Sequence, residues 1–315
     1  MDRTIRIAAA VGVCIAAVAL AAGAPPLDLT VIHAARWLSP NADRASALGS
    51  TPTECLRAAT EVEQAYAIEV GRAAFRTPLT LGGQAARVGL SCDSCHENGR
   101  TNPDFFFPYV SGAPGTAARA ALLSSHPAEG MDHPKPIPDL SSDKSRLKVD
   151  QDPKSAALEP FVHGLVTEEF DGAEPPTMVI RGLTAYLRAL SPDACPAASR
   201  QPLRAAYYLD DARRSVKVAI AALDHQDAPA AAFLTESARS QLGLIYERYD
   251  QPQSDAARAA LHAADLQLVA AAQAVRAHDP RARERLTTWL ATMPAWSAVV
   301  LAEEPQSLFN VQRLG

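Results

Sequence analysis

Beyond Pro202, apolar side chains recur at the 3.6-residue helical period in three long segments. Val216, Ala219, Ile220 and Leu223 line the first; Leu234, Ala238, Leu242, Ile245 and Tyr249 the second; Leu261, Ala264, Leu268 and Val275 the third. Pro229 and Pro252 separate them, because proline lacks a backbone donor and clashes with the turn before it. A shorter fourth segment is expected from Asp279-Pro280, an N-cap residue followed by proline at the first helical position, and it carries Leu286, Trp289 and Leu290. Glycine is almost absent here and alanine is abundant, so the pattern predicts an antiparallel helical bundle over 201–315.

The preceding part of the chain is patterned differently. Leu56, Val62, Tyr66, Val70 and Phe75 predict a long helix over Thr53–Phe75, ending before Pro78. A glycine-containing loop from Thr77 to Ser91 follows. Asn102-Pro103 breaks the chain, Phe105-Phe106-Phe107 forms an apolar cluster suited to core or to covering a flat ligand, Gly112–Gly115 marks a turn, and Thr116–Ser125 reads as a short helix. Prolines and polar residues dominate from His126 to Glu159. After Pro175-Pro176, Leu183, Tyr186, Leu187 and Leu190 predict a helix over Thr177–Leu190, which Ser191-Pro192 stops. The lead segment, 22–51, holds one short apolar stretch, Leu27–Trp37. The fold expected is all-α, with one domain over 52–200 and the bundle after it.

At the start, Arg3 and Arg6 precede an apolar run from Ile7 to Ala22, and Ala19-Leu20-Ala21 offers a small-x-small cleavage site, the pattern of a secretory signal over 1–21. The run is about 16 residues, short of the roughly 20 that cross a bilayer as a helix, so an uncleaved anchor is the alternative. With 48% hydrophobic and 21% charged residues the chain can build a substantial core. The formal charge is −5, and losing Asp2, Arg3 and Arg6 with the signal makes it −6, which gives no basic excess for nucleic acid. Such a surface suits a basic redox partner, and is also ordinary for solubility.

The chemistry concentrates at Cys92-Asp93-Ser94-Cys95-His96, the Cys-x-x-Cys-His pattern by which a c-type haem is covalently held. Each thiol adds to one vinyl group, and the adjacent imidazole ligates the iron. A thioredoxin-like pair would sit between strand and helix of a parallel sheet, whereas these surroundings are Gly-rich, Pro-rich and helical. A zinc site would need a second ligand pair, and the other cysteines are isolated. One motif implies one haem, and attachment on the outer side of a bacterial inner membrane agrees with the signal in predicting the periplasm. Of the five cysteines, Cys14 leaves with the signal and two hold haem. Cys55 and Cys195 remain, as a candidate disulfide or as two separate buried thiols.

Gly71-Arg72-Ala73-Ala74-Phe75 before the motif and Leu183-Thr184-Ala185-Tyr186-Leu187 after it resemble the crossing N- and C-terminal helices of class I cytochromes c. In that family a small glycine lets an aromatic of the second helix approach closely. More narrowly, Gly71–Phe75, Pro78-Leu79 and the loop into Ser91-Cys92 resemble the opening of a haem domain of the bacterial di-haem cytochrome c peroxidase superfamily. The likeness covers about 52–196. This chain has one haem motif where those peroxidases have two, so their two-haem chemistry does not carry over. The class I resemblance places the distal ligand shortly before the terminal helix, where His163 stands. Met131 is the alternative, in a loop that could reach the distal face, and Met178 reads as packing. His126 and His133 are weaker candidates; His225, His262 and His278 read as solvated. The expectation is a periplasmic mono-haem electron carrier serving a redox protein or respiratory complex. The alternatives are a peroxidase-like enzyme or small-molecule sensor with an exchangeable distal site, for which Glu168, Glu169 and Asp171 could supply acid–base groups, and a haem subunit of a larger oxidoreductase.

Overall fold

The computed structural model describes residues 33–118, 123, 133–142, 147–195 and 200–314. The expected signal, the lead segment up to residue 32, Cys14, His126 and Met131 lie outside the described residues. In chain order the elements are α1 (Arg44–Gly49), β1 (Ser50–Pro52), α2 (Val62–Phe75), α3 (Gly83–Arg87), α4 (Cys92–Cys95), β2 (Thr116–Ala117), β3 (Lys135–Pro136), α5 (Leu158–Gly164), α6 (Thr177–Ala189), β4 (Arg200–Pro202), α7 (Ala205–Asp224), α8 (Ala228–Tyr246), α9 (Asp255–Arg276) and α10 (Ala282–Glu303). The described chain is thus mostly helical, with two short antiparallel ribbons, β1–β4 and β2–β3. Among the described residues no helix is long and apolar enough to cross a membrane.

Helix α2 begins nine residues later than the apolar spacing suggested, at Val62 instead of Thr53. Leu56 does not join the helical stripe: it pairs with Leu190 in an isolated antiparallel bridge. Gln64 in its first turn reaches back past the N-cap Glu61, its side-chain oxygen accepting from the Thr60 backbone N–H at 2.9 Å and tying the entering chain to the helix. It packs on α6 where Gly71 faces Gly182. A Cβ on Gly71 would stand 1.9 Å from the Gly182 carbonyl oxygen, so the two backbones touch. The expected aromatic against the first glycine is displaced. Phe75 and Tyr186, one turn further along each helix, meet with ring centroids 5.0 Å apart and planes tilted by 48°.

Helices α7 to α10 pack in a ring, each on the next and α10 back on α7, and α2 rests on α7 and α8. Short turns make successive helices antiparallel. Asp227 caps α8, its carboxylate accepting from the Ala230 N–H at 3.0 Å, and Pro229 sits in the first turn where its missing donor costs nothing. The fourth helix is not short. It spans 22 residues and runs through Pro294. Its buried residues Leu286, Trp289, Met293 and Val300 keep the inner face continuous on both sides of that proline. One apolar core extends from Ile68 on α2 to Phe309, without interruption at residue 200. A second, smaller cluster holds Leu81, Ala85, Leu90, Phe105, Phe107, Val110, Leu123 and Ile137. Near it, Thr116–Ala117 is not helical: it pairs with Lys135–Pro136, and the rest of the helix expected over 116–125 lies outside the described residues except Ala118 and Leu123.

Charge is also buried between α2 and α7. Arg76, 4% exposed, donates to both carboxylate oxygens of Asp211 at 2.8 and 2.7 Å and to Glu54 at 2.7 Å. Arg72 adds a 2.7 Å pair with Glu54, and the Tyr186 hydroxyl donates to Glu54 at 2.8 Å. Burial alone would raise the Glu54 carboxyl, but Arg76 and Arg72 hold it below its ordinary value.

Candidate functional site

Helix α4 is a single turn made of Cys92-Asp93-Ser94-Cys95. Ser91 caps it, and Ser94 returns the favour by accepting from the Ser91 backbone N–H at 3.0 Å, which closes the reciprocal capping pair. The two thiols stand three residues apart, hence on one face of the turn. Both pack against the second apolar cluster, with Trp37, Val88 and Phe170 at its margin. Burial pushes each thiol up to about 12. Trp37, from the lead segment, donates its indole N–H to the Val88 carbonyl at 2.7 Å and packs 4.3 Å from the Phe107 ring.

The helical turn ends at His96, whose N–H still reaches the Cys92 carbonyl at 2.9 Å. Its Nδ1 lies 3.0 Å from the Pro138 carbonyl oxygen. A carbonyl can only accept, so Nδ1 carries the proton and Nε2 is left as the ring atom with a lone pair. The surrounding protein holds the imidazole down to about 4 by desolvation, against the pull of Pro138 and Asp139, and it is therefore neutral at ordinary pH. A metal-binding histidine is oriented in this way, by a backbone acceptor on its far nitrogen. Two thiols on one face, an apolar wall and a neutral imidazole with a fixed tautomer together fit a flat apolar ring carrying a metal. Among the described residues no three His, Cys, Asp or Glu side chains gather as a metal cage.

The other candidates fall elsewhere. His163, at the end of α5, places Nε2 2.9 Å from a Glu174 carboxylate oxygen at the surface. No bond joins it to the motif residues. Met178 packs on the main core. His225 stacks on Tyr66 with centroids 4.7 Å apart, and His133, His262 and His278 are exposed. Glu168 and Glu169 form a π-helical turn after α5, and Asp171 adopts φ +54°.

Cys55 and Cys195 come together. Ser191 N–H donates to the Cys55 carbonyl at 2.9 Å, and the 3-10 turn Pro192–Ala194 then brings Cys195 back to it. Burial and the Cys195 neighbour push the Cys55 thiol up to about 11, with Arg100 pulling the other way. Both are free thiols here; a two-electron oxidant such as dioxygen, taking up two electrons and two protons, would close one S–S bond between them. Peptide mapping of the protein after air oxidation, without reductant, is expected to recover the two as a single linked pair. Free alkylation of both would refute the pairing.

Periodicity alone missed several residues that build this site: Pro138, Asn98, and Glu97, whose buried carboxylate accepts from Arg36 at 2.7 Å and Arg200 at 3.3 Å. Asn98-Gly99 directly after the motif was the available signal, since asparagine and glycine both tolerate left-handed backbone; they stand at φ +53° and +80°. Comparison with protein-family models, with curated proteins and with solved structures finds no match to this chain.

Proposed function

We propose that this chain is an exported mono-haem c-type cytochrome that carries electrons, with haem linked through Cys92 and Cys95 and His96 as the proximal ligand. The observation that carries the reading is the His96 imidazole, its Nδ1–H spent on Pro138 and its Nε2 available, beside two thiols against an apolar wall. When bound, the haem supplies an iron that cycles between two oxidation states. The protein's part is to fix the imidazole, to exclude water with Trp37, Phe105, Phe107 and Ile137, and to present a mildly acidic surface to a basic redox protein or respiratory complex. Export through residues 1–21 to a bacterial periplasm fits the same chemistry.

The ion pair with Glu174 supports a second reading. His163 Nε2, the atom that would have to reach iron, is engaged, which favours Met131 or an exchangeable distal position, and with the latter a peroxidase-like or gas-sensing role. Co-expression with the haem-attachment machinery should give a protein whose mass rises by one haem and whose colour stays with the polypeptide in acidified acetone. Haem that extracts freely would end the proposal. In the ferrous state a low-spin spectrum unmoved by carbon monoxide identifies the carrier; His163→Ala or Met131→Ala, whichever opens the iron, then names the ligand. Ready carbon monoxide binding by the unaltered protein identifies the exchangeable site.

A further inference from the structure

Asn98 stands two residues beyond His96, fully buried, in left-handed conformation at φ +53°. Its side chain uses every bond it has. Oδ1 accepts from the Tyr207 hydroxyl at 2.7 Å and from Arg76 Nη2 at 2.5 Å, and Nδ2 donates to Thr51 Oγ1 at 3.1 Å and to the Pro52 carbonyl at 2.7 Å. Its backbone N–H donates to Asp93 Oδ1 at 2.7 Å, back into the motif. The residues that follow hold the strip bearing the imidazole's acceptor. The Gly99 carbonyl accepts from Leu140 N–H at 2.9 Å, and Thr101 Oγ1 donates to the Ile137 carbonyl at 2.9 Å, one bond on either side of Pro138.

Tyr207 lies on α7, and Arg76 is anchored on the same helix through Asp211. We propose that Asn98 is a positioning residue for the His96 imidazole, and that α7 fixes it there through Tyr207 and Asp211. This gives the helices after residue 205 a part in the site, and it rests on reading His96 as the proximal ligand. The path is continuous: α7 holds Asn98, Asn98 fixes the turn 98–101, the turn clamps 137–140, and Pro138 sets the ring.

Tyr207→Phe in the full-length protein removes one O–H donor and keeps the ring that lies 5.4 Å from the Arg76 guanidinium. Two quantities are read on the reduced protein: solvent exchange of the His96 Nδ1–H by nitrogen-proton NMR, and the reduction potential. Exchange is expected to quicken about tenfold, as for loss of one buried hydrogen bond, and the potential to shift. Ser237→Ala, which removes a bond to the Phe233 carbonyl on α8, is expected to lower the melting temperature and leave both readouts unchanged. If Tyr207→Phe lowers the melting temperature while the exchange and potential stay as in the parent, the positioning role is overturned. Asp211→Asn repeats the test should Tyr207→Phe fold poorly, with the same two outcomes. A protein that takes up no haem still reports the exchange rate, so the proposed function can fail while this inference stands or falls separately.

Discussion

Arg76→Met is expected to destabilise the protein by about 3–5 kcal/mol, the cost of breaking a buried ion pair from one side. Methionine nearly matches the buried volume, so a cavity is not the main cause. The loss comes from Asp211 and Glu54, whose one remaining cationic partner among the described residues is Arg72, at 3.5 and 2.7 Å, with the Tyr186 hydroxyl still on Glu54. Urea unfolding followed by circular dichroism measures it. Pairing the change with Asp211→Leu should recover part of the loss, because the uncompensated charge goes too. The sign with pH follows from Glu54, held below its ordinary value. Its contribution is complete above about pH 4.3, the ordinary value for glutamate, and is lost as pH falls through the depressed folded value. The gap between parent and variant should therefore narrow on acidification. A gap below about 1 kcal/mol at neutral pH would mean that the pair merely offsets its own desolvation.

Gly71→Val carries the second large effect. Replacing glycine inside a helix with alanine ordinarily gains about 1 kcal/mol of propensity, and valine gains less. Against this, even the first carbon of the new side chain would lie 1.9 Å from the Gly182 carbonyl oxygen. Relief requires α2 and α6 to part, which opens the Phe75–Tyr186 contact and the core around it. A loss of at least about 3 kcal/mol is expected, from overpacking with no flexible neighbour to yield, or roughly 6–12 °C in melting temperature. Gly71→Ala should do nearly as much, since the clash already exists at Cβ. If Gly71→Ala melts at or above the parent temperature, the crossing is looser than the geometry described.

The parts legible in the sequence were those carried by local chemistry. The helical stripes after residue 205, the helix over 177–189 and the stop at Ser191-Pro192 each depend on residues close together in the chain. What escaped depends on long-range partners. Leu56 has a place in the apolar pattern with Val62 but lies opposite Leu190 in a bridge held by Arg57 N–H on the Ala189 carbonyl and Ser191 N–H on the Cys55 carbonyl, so the helix starts late. Thr116 and Ala117 look helical until Lys135 and Pro136 offer them a strand. The change of composition at 202 marks where glycine gives way to alanine, yet the core crosses it, because Phe75 and Tyr186 on one side are joined to Tyr208 and Ala212 on the other. Pro138 is an ordinary letter in the sequence that only the folded chain brings to His96, and Asn98, two residues after His96, gains its partners Tyr207, Arg76 and Thr51 only in the fold.

The ribbon of β1 and β4 also governs the order in which the molecule can form. Its register, Ser50 opposite Pro202 and Pro52 opposite Arg200, joins the two ends of the segment that contains the whole motif. Closing so long a loop loses much chain entropy before the first bond repays it, so contacts of this span form late. Helix α7 follows directly after the ribbon, and with it comes Tyr207. A chain emerging from the N-terminus therefore holds the cluster that walls Cys92 and Cys95, from Trp37 to Phe170, before Asn98 can take its bond from Tyr207. In that interval the two thiols have their wall while the turn after His96 still lacks its last anchor.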